Sequence, residues 1–263
     1  MLINLLLWLA SIAITVLVLI LCPCLSLWWS PLLLVGCYII AAVSLVLGIL
    51  VYAYTQRHAD NTVCRRLLYR IMSATAEWVM LLCGIRIRLH HADRLPMNIP
   101  FLLVGNHLSN LDPLVTMAAL RRHQLAFVSK PENFKIPVAG PIMRHAGYLP
   151  IDRENPRNAV STIKKAAQQI TERALCMGIY PEGTRNKSGK GLLPFHGGSF
   201  KIATTAKCPI VVLTLRYQPG PFPFKRTAYL DVAAVLDAPF VTENRTDAIS
   251  EKVQAIITDD LTK

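Results

Sequence analysis

The hydrophobic pattern divides the chain near residue 57. No Asp, Glu, Lys or Arg occurs before Arg57, and residues 2–21 and 32–53 form two almost unbroken apolar runs. A helix needs about 20 such residues to cross the hydrocarbon core of a bilayer, which is ~30 Å thick. The pattern therefore predicts two membrane helices within an anchoring region at residues 1–56.

The segment between the two runs carries signals for a turn. Residues 22–24 (Cys-Pro-Cys) and 28–31 (Trp-Trp-Ser-Pro) supply helix breakers and aromatic rings suited to a headgroup layer. A secretory signal peptide is the competing interpretation, but the first run lacks a basic start and a small-residue cleavage pattern. A spanning pair and a re-entrant hairpin both remain open.

An amphipathic segment follows the apolar runs. Residues 64–83 place apolar side chains at helical spacing and cluster basic residues at the start. This pattern predicts a helix within residues 57–84. The helix either lies in the membrane interface or covers the sheet of the next domain.

From residue 85 to the end, short apolar runs of strand length alternate with helical patterns. Such alternation predicts one α/β domain at residues 85–263, with a mixed, largely parallel sheet flanked by helices. The predicted strands are residues 85–89, 101–106, 125–128, 148–151, 176–180, 210–216 and 229–236, and the predicted helices are residues 113–122, 158–173, 199–207 and 247–261.

The charge of the chain lies entirely after the apolar runs. The formal net charge is +12, from 28 Lys and Arg against 16 Asp and Glu. Basic residues cluster directly after the second run, at Arg57, Arg65, Arg66 and Arg70, so the positive-inside rule predicts a cytosolic domain. Nucleic acid is a poor partner, because no DNA- or RNA-binding motif accompanies the charge.

No cofactor or metal motif stands out. The sequence contains no Walker loop, no GxGxxG, no H-E-x-x-H and no metal-type carboxylate cluster. Its seven cysteines lack the spacing of a zinc site or a disulfide framework, and Cys176 and Cys208 are predicted to be small buried hydrophobic residues. We therefore expect a transfer reaction without a cofactor.

The first candidate for chemistry is a His-x₄-Asp spacing. His107 and Asp112 are five residues apart, so a regular helix would point them away from each other. They can meet if His107 follows a strand and Asp112 begins the next helix as its N-cap, with Pro113 at the first helical position. His107 is then a candidate general base that Asp112 orients. The alternative is a loop histidine beside a helix cap.

A second polar stretch, residues 180–186, also follows a predicted strand. Gly183 allows backbone to approach a ligand closely, Thr184 offers a hydroxyl, and the planar guanidinium of Arg185 matches a phosphate. These features predict a phosphate-binding site. The alternative is a turn with a surface pair formed by Glu182 and Arg185.

Two further basic residues stand just after predicted strands. Lys130 follows the strand at residues 125–128, and Arg153 follows Asp152 after the strand at residues 148–151. Because α/β sheets bind ligands along the carboxyl edge of their strands, we expect these residues to line one crevice with His107.

Four motifs follow one another along the chain: residues 106–112 (Asn-His-x-Ser-x-x-Asp), residues 130–132 with Pro137, Gly140 and residues 147–153, residues 181–185 (Pro-Glu-Gly-Thr-Arg), and residues 208–211 (Cys-Pro-Ile-Val). Together they resemble the motifs of the glycerophospholipid acyltransferases, and most closely those of the bacterial 1-acyl-glycerol-3-phosphate acyltransferases. Two departures from the family pattern occur: residues 195–198 read Phe-His-Gly-Gly where the family carries Phe-Lys-x-Gly, and Val212-Leu213 replaces a second proline.

The resemblance implies direct acyl transfer at a bacterial inner membrane. His107, oriented by Asp112, would take the proton from the free hydroxyl of lysophosphatidic acid, which attacks the thioester of acyl-CoA or an acyl carrier protein. The substrate-binding residues implied are Lys130, Arg153, Glu182, Gly183, Thr184 and Arg185.

Three alternatives remain. In the first, the acceptor is glycerol-3-phosphate or another lysophospholipid. In the second, the chain is a membrane lipid-binding module without activity. In the third, the acyl group passes through a covalent intermediate on Ser109 or Cys176.

Overall fold

The computed structural model describes residues 2–22, 27–55, 65–137, 139–152, 155–187, 191–220 and 225–262. It divides the chain into two compact units, Met1–Asp60 and Asn61–Lys263. The predicted apolar pair falls in the first unit. The predicted amphipathic helix falls in the second unit, together with the α/β domain.

The first unit is a helical pair. Helices α1 (Leu2–Leu21) and α2 (Ser30–Thr55) contact each other. The ring of Trp8 stacks on Tyr38 with centroids 4.5 Å apart, and the Tyr38 hydroxyl donates to Asn4 Oδ1 at 2.7 Å. The two helices predicted from the apolar runs are therefore confirmed as helices.

Both helices are long and apolar enough to cross a membrane, over Ile3–Leu21 and Ser30–Tyr52. Many of their large apolar side chains face outward: Leu17 and Ile40 are each more than half exposed. Outward apolar surface of this extent suits a lipid environment, which supports association with a membrane.

The described part of the second unit contains seven strands, and each matches a predicted one. Two short helices, α5 (Ala139–His145) and α8 (Ala238–Glu243), were not predicted, because segments of 7 and 6 residues are too short to show a helical period. The strands are β1 (Ile85–His90), β2 (Leu102–Gly105), β3 (Leu125–Ser129), β4 (Leu149–Pro150), β5 (Cys176–Ile179), β6 (Ile210–Pro219) and β7 (Arg226–Leu236); the helices are α3 (Arg65–Leu82), α4 (Asp112–Ala119), α5 (Ala139–His145), α6 (Pro156–Arg173), α7 (Lys201–Ala206), α8 (Ala238–Glu243) and α9 (Thr246–Leu261).

All seven strands form one sheet in the order β1-β7-β6-β2-β5-β3-β4. Every neighbouring pair is parallel except β6 with β7, which confirms the predicted mixed, largely parallel sheet. Strand β2 ends at Gly105 opposite Leu213, whereas β6 continues to Pro219. Residues 214–219, 226–231 and 85–90 therefore form a three-stranded extension beyond the end of β2.

The centre of the sheet is buried on both faces. Every residue of β2 and β5 is buried, as expected for parallel strands covered by helices on both sides. Helix α3 packs against α4 and β1, with Leu68, Tyr69 and Met80 in the core. The apolar face of α3 therefore packs on the α/β domain, and a position of this helix in the membrane interface stays a prediction.

Candidate active site

The predicted polar residues collect at one edge of the sheet. Strands β2, β5, β3 and β4 are neighbours and parallel, so their carboxyl ends meet at the same edge. His107 follows β2, Arg185 follows β5, and Lys130 directly follows β3. Asp152 follows β4, and Arg153 lies outside the described residues.

His107 and Asp112 meet across the loop between β2 and α4. His107 Nδ1 lies 2.8 Å from Asp112 Oδ2, and Asp112 is the first residue of α4. The prediction that the two side chains meet only if a turn separates them is confirmed, because residues 106–111 are not helical.

The predicted N-cap role of Asp112 is wrong. The N-cap residue of α4 is Leu111, and it has no side-chain cap. The carboxylate of Asp112 instead points back along the loop, where Oδ2 accepts the backbone N–H groups of Leu108 (2.6 Å) and Ser109 (2.8 Å). Asp112 therefore holds the loop that carries His107 and does not satisfy the first turn of the helix.

Asp112 is fully buried, with 0% of its surface exposed. Its other oxygen, Oδ1, accepts the Tyr217 hydroxyl at 2.7 Å. The carboxyl group thus accepts three hydrogen bonds, from two backbone N–H groups and the Tyr217 hydroxyl, so both of its oxygens already act as acceptors. An acceptor at Oδ2 requires the proton of a neutral His107 to be on Nδ1, which leaves Nε2 with its lone pair.

His107 can reach a substrate with that second nitrogen. Its side chain is 19% exposed, and Nε2 has no hydrogen bond among the described residues. The arrangement of a buried carboxylate, an oriented imidazole and an open nitrogen is the geometry of a general base.

Tyr217 is a functional residue that the sequence did not reveal. The predicted strand stopped at residue 216, one residue before it, whereas β6 continues to Pro219. Burial raises the pKa of Tyr217, and the nearby Asp112 charge raises it further. The phenol therefore stays protonated and donates to Asp112.

A stack of aromatic rings holds the plane of the imidazole. The ring of Tyr180 lies 4.5 Å from that of His107 at an angle of 12°, and Phe127 stacks on Tyr180 at 5.7 Å. Gly178 leaves room for this stack, since a Cβ at that position would lie 2.3 Å from the Phe127 ring. Burial raises the pKa of Tyr180, so the ring remains neutral.

The backbone of His107 is fixed at both of its polar groups. Its N–H donates to Glu182 Oε1 at 2.6 Å, and its carbonyl accepts the N–H of Asn186 at 2.7 Å. Asn106, the preceding residue, exchanges two hydrogen bonds with the backbone of Leu215, at 2.7 and 3.0 Å. Loops after β2 and β5 and strand β6 are thereby held together around His107.

Glu182 contributes to this framework through both oxygens. Oε2 accepts the N–H of Leu193 at 3.1 Å, and the residue is only 3% exposed. Burial raises the pKa of Glu182, while the two backbone donors lower it. The structure thus shows a positioning role for Glu182; its role in substrate binding, predicted from the family pattern, stays a prediction.

The rest of this loop presents groups to solvent. Gly183 has a positive φ of 73°, a conformation that favours glycine, and it turns the chain after Glu182. Thr184 is exposed and Arg185 is half-buried. Lys130, across the same edge, is exposed. These three side chains are accessible to an anionic ligand at the edge that carries His107.

Cys176 does not belong to this site. It is the first residue of β5 and therefore lies at the amino end, opposite the edge that carries His107. Burial raises its pKa to about 12, so its thiol is not ionised near neutral pH. The prediction that Cys176 and Cys208 are buried hydrophobic residues is confirmed.

Comparisons with known proteins find similar sequences. Residues 86–216 match the model of the family described as Acyltransferase. The 1-acyl-sn-glycerol-3-phosphate acyltransferase alpha of Ovis aries is 32% identical over 170 residues, which cover 65% of this chain and 56% of the relative. The 1-acyl-sn-glycerol-3-phosphate acyltransferase of Haemophilus influenzae is 38% identical over 108 residues, covering 41% of this chain and 44% of the relative. The chain thus spans about half the length of the curated relatives it matches.

The fold also matches a solved structure. The crystal structure of the 1-acyl-sn-glycerophosphate (LPA) acyltransferase PlsC from Thermotoga maritima superposes with a TM-score of 0.67 over 86% of this chain and 91% of that chain, at 18% identity. The two proteins therefore share a fold. His107, Asp112 and Glu182 all lie inside the segment that matches the family, and through residues 86–216 the chain belongs to the acyltransferase family.

Proposed function

We propose that the chain transfers a fatty acyl group from an acyl thioester to the free hydroxyl of 1-acyl-glycerol-3-phosphate (lysophosphatidic acid), which gives phosphatidic acid. The observation that carries the proposal is the 2.8 Å contact of His107 Nδ1 with the buried carboxylate of Asp112, which leaves Nε2 open. The names of the similar proteins support the acceptor. Acyl-CoA and an acyl carrier protein are the two candidate donors.

The proposed reaction is a direct transfer that needs no cofactor. His107 Nε2 accepts the proton of the acceptor hydroxyl while the hydroxyl oxygen attacks the carbonyl carbon of the thioester. The carbon–sulfur bond then breaks, and the thiolate takes the proton from Nε2. Asp112 stabilises the imidazolium that exists between these two steps.

The acceptor phosphate is proposed to bind at the basic residues of the carboxyl edge. Arg185 and Lys130 stand at this edge and are accessible, and Gly183 and Thr184 complete the loop beside Arg185. Arg153, which comes two residues after Ile151 in the sequence, is proposed as a further ligand of the phosphate. One guanidinium group can donate two parallel hydrogen bonds to a phosphate, so arginine suits this role.

The catalytic domain is proposed to face the cytosol from a bacterial inner membrane. The two helices are long and apolar enough to cross a bilayer, which supports attachment to a membrane. The basic residues that follow them in the sequence support a cytosolic position of the domain. The motif similarity to bacterial enzymes supports the compartment. A membrane location suits a lipid acceptor whose acyl tail belongs in the bilayer.

An acceptor panel tests the proposed function. The purified full chain in detergent is given one radiolabelled acyl-CoA and, separately, lysophosphatidic acid, glycerol-3-phosphate or lysophosphatidylcholine. We expect kcat/KM to be highest with lysophosphatidic acid. A higher value with glycerol-3-phosphate would assign a different acceptor to the same chemistry, and no transfer to any acceptor from either acyl-CoA or acyl carrier protein would refute the proposal.

Removal of the Tyr217 hydroxyl tests its positioning role. Tyr217→Phe deletes one of the four donors to Asp112, so the carboxylate attracts the imidazolium more strongly. We expect kcat to fall about threefold to tenfold and stability to fall by about 1 kcal/mol, with the KM for lysophosphatidic acid unchanged. The acidic limb of the kcat/KM profile should move to higher pH. An unchanged profile with lower stability would make Tyr217 merely structural.

A further inference from the structure

Three elements meet at the free end of the three-stranded extension. Helix α3 ends at Leu82 and reaches β1 through Gly84, which has a positive φ of 68°. The carbonyl of Gly84 accepts the N–H of Arg226 at 3.2 Å, and Arg226 begins β7 and pairs with Pro219, the last residue of β6. We call the surface formed by these ends the tip, and its members are Leu81, Leu82, Cys83, Pro219, Lys225 and Arg226.

The tip exposes two adjacent leucines. Leu81 is 50% exposed and Leu82 is 60% exposed, although other apolar side chains of the same helix, such as Leu68 and Met80, are buried in the core. Cys83 follows them and is exposed as well. Single apolar side chains are common on protein surfaces, whereas neighbouring ones that share a patch indicate an interaction site.

The segments that form the tip are basic. Residues 78–92 and 211–230 contain five Lys and Arg and no Asp or Glu. Arg86, Lys225 and Arg226 are exposed, and Arg86 lies beside the start of β7 because Ile85 pairs with Arg226. No ion pair joins Arg86 or Arg226 to an acid in the part of the chain that the structure describes. The tip therefore combines exposed apolar side chains with positive charge.

The tip also lies beside the active site. Tyr217, whose hydroxyl donates to Asp112, stands two residues before Pro219, which is about 7 Å along a strand. Because paired residues share a face and successive residues alternate, Arg226 points to the same face of the extension as Tyr217. Burial and the Asp112 charge raise the pKa of Tyr217, whereas the Arg226 charge opposes them. The guanidinium is thus within electrostatic range of the phenol.

We propose that the tip docks the α/β domain on an anionic lipid bilayer, with Leu81 and Leu82 inserted among the headgroups and Lys225 and Arg226 at the lipid phosphates. Burial of apolar side chains and attraction of cations to anionic lipid act together in such contacts. The domain is also covalently joined to a helical pair suited to a bilayer. This attachment raises the effective concentration of its surfaces at a membrane, so a weak contact suffices. A protein partner would not gain from that attachment.

Docking at the tip goes beyond the proposed function, because it concerns how the domain meets a bilayer and not which reaction it performs. Only its kinetic consequence rests on the proposed function. A lysophosphatidic acid whose acyl tail lies in the bilayer presents its hydroxyl near the headgroups. With the tip in that layer, the face that holds Tyr217 and Asp112 adjoins the membrane surface, and the path of the acceptor to His107 is short.

Two presentations of the acceptor test this consequence. The full chain, reconstituted in vesicles of phosphatidylcholine and phosphatidylglycerol, is given long-chain lysophosphatidic acid in the bilayer or a short-chain one that stays in solution. For Leu81→Gln/Leu82→Gln, which keeps a good helix former at both positions, we expect kcat/KM to fall about tenfold with the bilayer acceptor. It should not change with the soluble acceptor. Met97→Gln/Ile99→Gln is the matched control, because both side chains are 59% exposed and precede β2, whose other end leads to His107.

A fluorophore on Cys83 measures docking without turnover. Nitroxide-labelled lipid in the same vesicles quenches a fluorophore that touches the bilayer, and we expect most of the fluorescence at Cys83 to be lost. The reference is the same fluorophore on Ile99→Cys in a chain that also carries Cys83→Ser, and it should keep its fluorescence. Lys225→Ala/Arg226→Ala should weaken the quenching at Cys83. The remaining accessible cysteines are removed in every labelled chain, by Cys22→Ser, Cys24→Ser, Cys37→Ser and Cys64→Ser, whereas Cys176 and Cys208 are buried.

Three results would overturn the inference. The first is equal quenching at Cys83 and at Ile99→Cys, and the second is an equal fall of kcat/KM with both acceptors. The third is a fluorophore at Cys83 that is not quenched at all, which would assign the exposed leucines to a protein partner. Quenching at Cys83 in a chain that acylates no acceptor would refute only the proposed function.

Discussion

Replacing His107 by alanine is expected to lower kcat for acyl transfer by about 10²- to 10⁴-fold, the usual contribution of a general base. The KM for lysophosphatidic acid should change little, because the basic residues proposed to bind its phosphate are untouched. The ring is partly exposed, so the variant should remain folded. Initial rates with labelled acyl-CoA measure the effect, and circular dichroism checks the fold.

Two outcomes would contradict this prediction. A folded, membrane-associated His107→Ala protein with wild-type transfer would favour a lipid-binding module or a different base. Labelled acyl group trapped on the wild-type protein without an acceptor would favour a covalent intermediate. Ser109→Ala is the matched control for that second outcome, since Ser109 Oγ accepts a hydrogen bond from the Leu111 N–H and contacts no general base among the described residues.

Asp112→Asn is expected to retain the fold and lower kcat by about 10²-fold or more. The asparagine oxygen can accept the N–H groups of Leu108 and Ser109 and the proton on His107 Nδ1, while its amide donates to a rotated Tyr217 hydroxyl. The charge that stabilises the imidazolium is lost. Thermal unfolding and kcat, measured on the same preparation, separate the two effects.

Asp112→Ala provides the contrast. Alanine leaves two partly buried backbone donors and the Tyr217 hydroxyl without their acceptor, and each such group costs up to about 1–3 kcal/mol. We therefore expect this variant to be strongly destabilised. If Asp112→Asn lost stability and activity to the same degree as Asp112→Ala, the carboxylate would be a structural residue of the loop and its proposed catalytic role would be withdrawn.

Much of the fold was predictable because its signals are local. Residues 2–21 and 32–53 are almost entirely apolar and carry no charged side chain, and run length alone identifies such helices. The central strands of the second unit are short apolar runs because parallel strands are buried on both faces, as β2 and β5 show. The His-x₄-Asp spacing was also informative, since only a strand–turn–helix path lets the two side chains meet.

The same local reasoning failed where a side chain had several possible partners. Asp112 before Pro113 has the sequence signature of an N-cap, yet its carboxylate accepts the amides of Leu108 and Ser109. Two backbone donors, an imidazole and a phenol together satisfy a fully buried charge better than a helix end would. The spacing of residues in the sequence does not show whether the aspartate accepts the backbone N–H groups that precede it or those that follow it.

The sequence by itself therefore determined the helical pair, the seven strands and the candidate base with its carboxylate. Only the tertiary structure decided how that base is held. The Tyr217 hydroxyl reaches Asp112 from 105 residues away, and Glu182 reaches the N–H of His107 from 75 residues away. These contacts exist because β6 and β5 lie on either side of β2 in the sheet, and strand order depends on packing that no local pattern encodes.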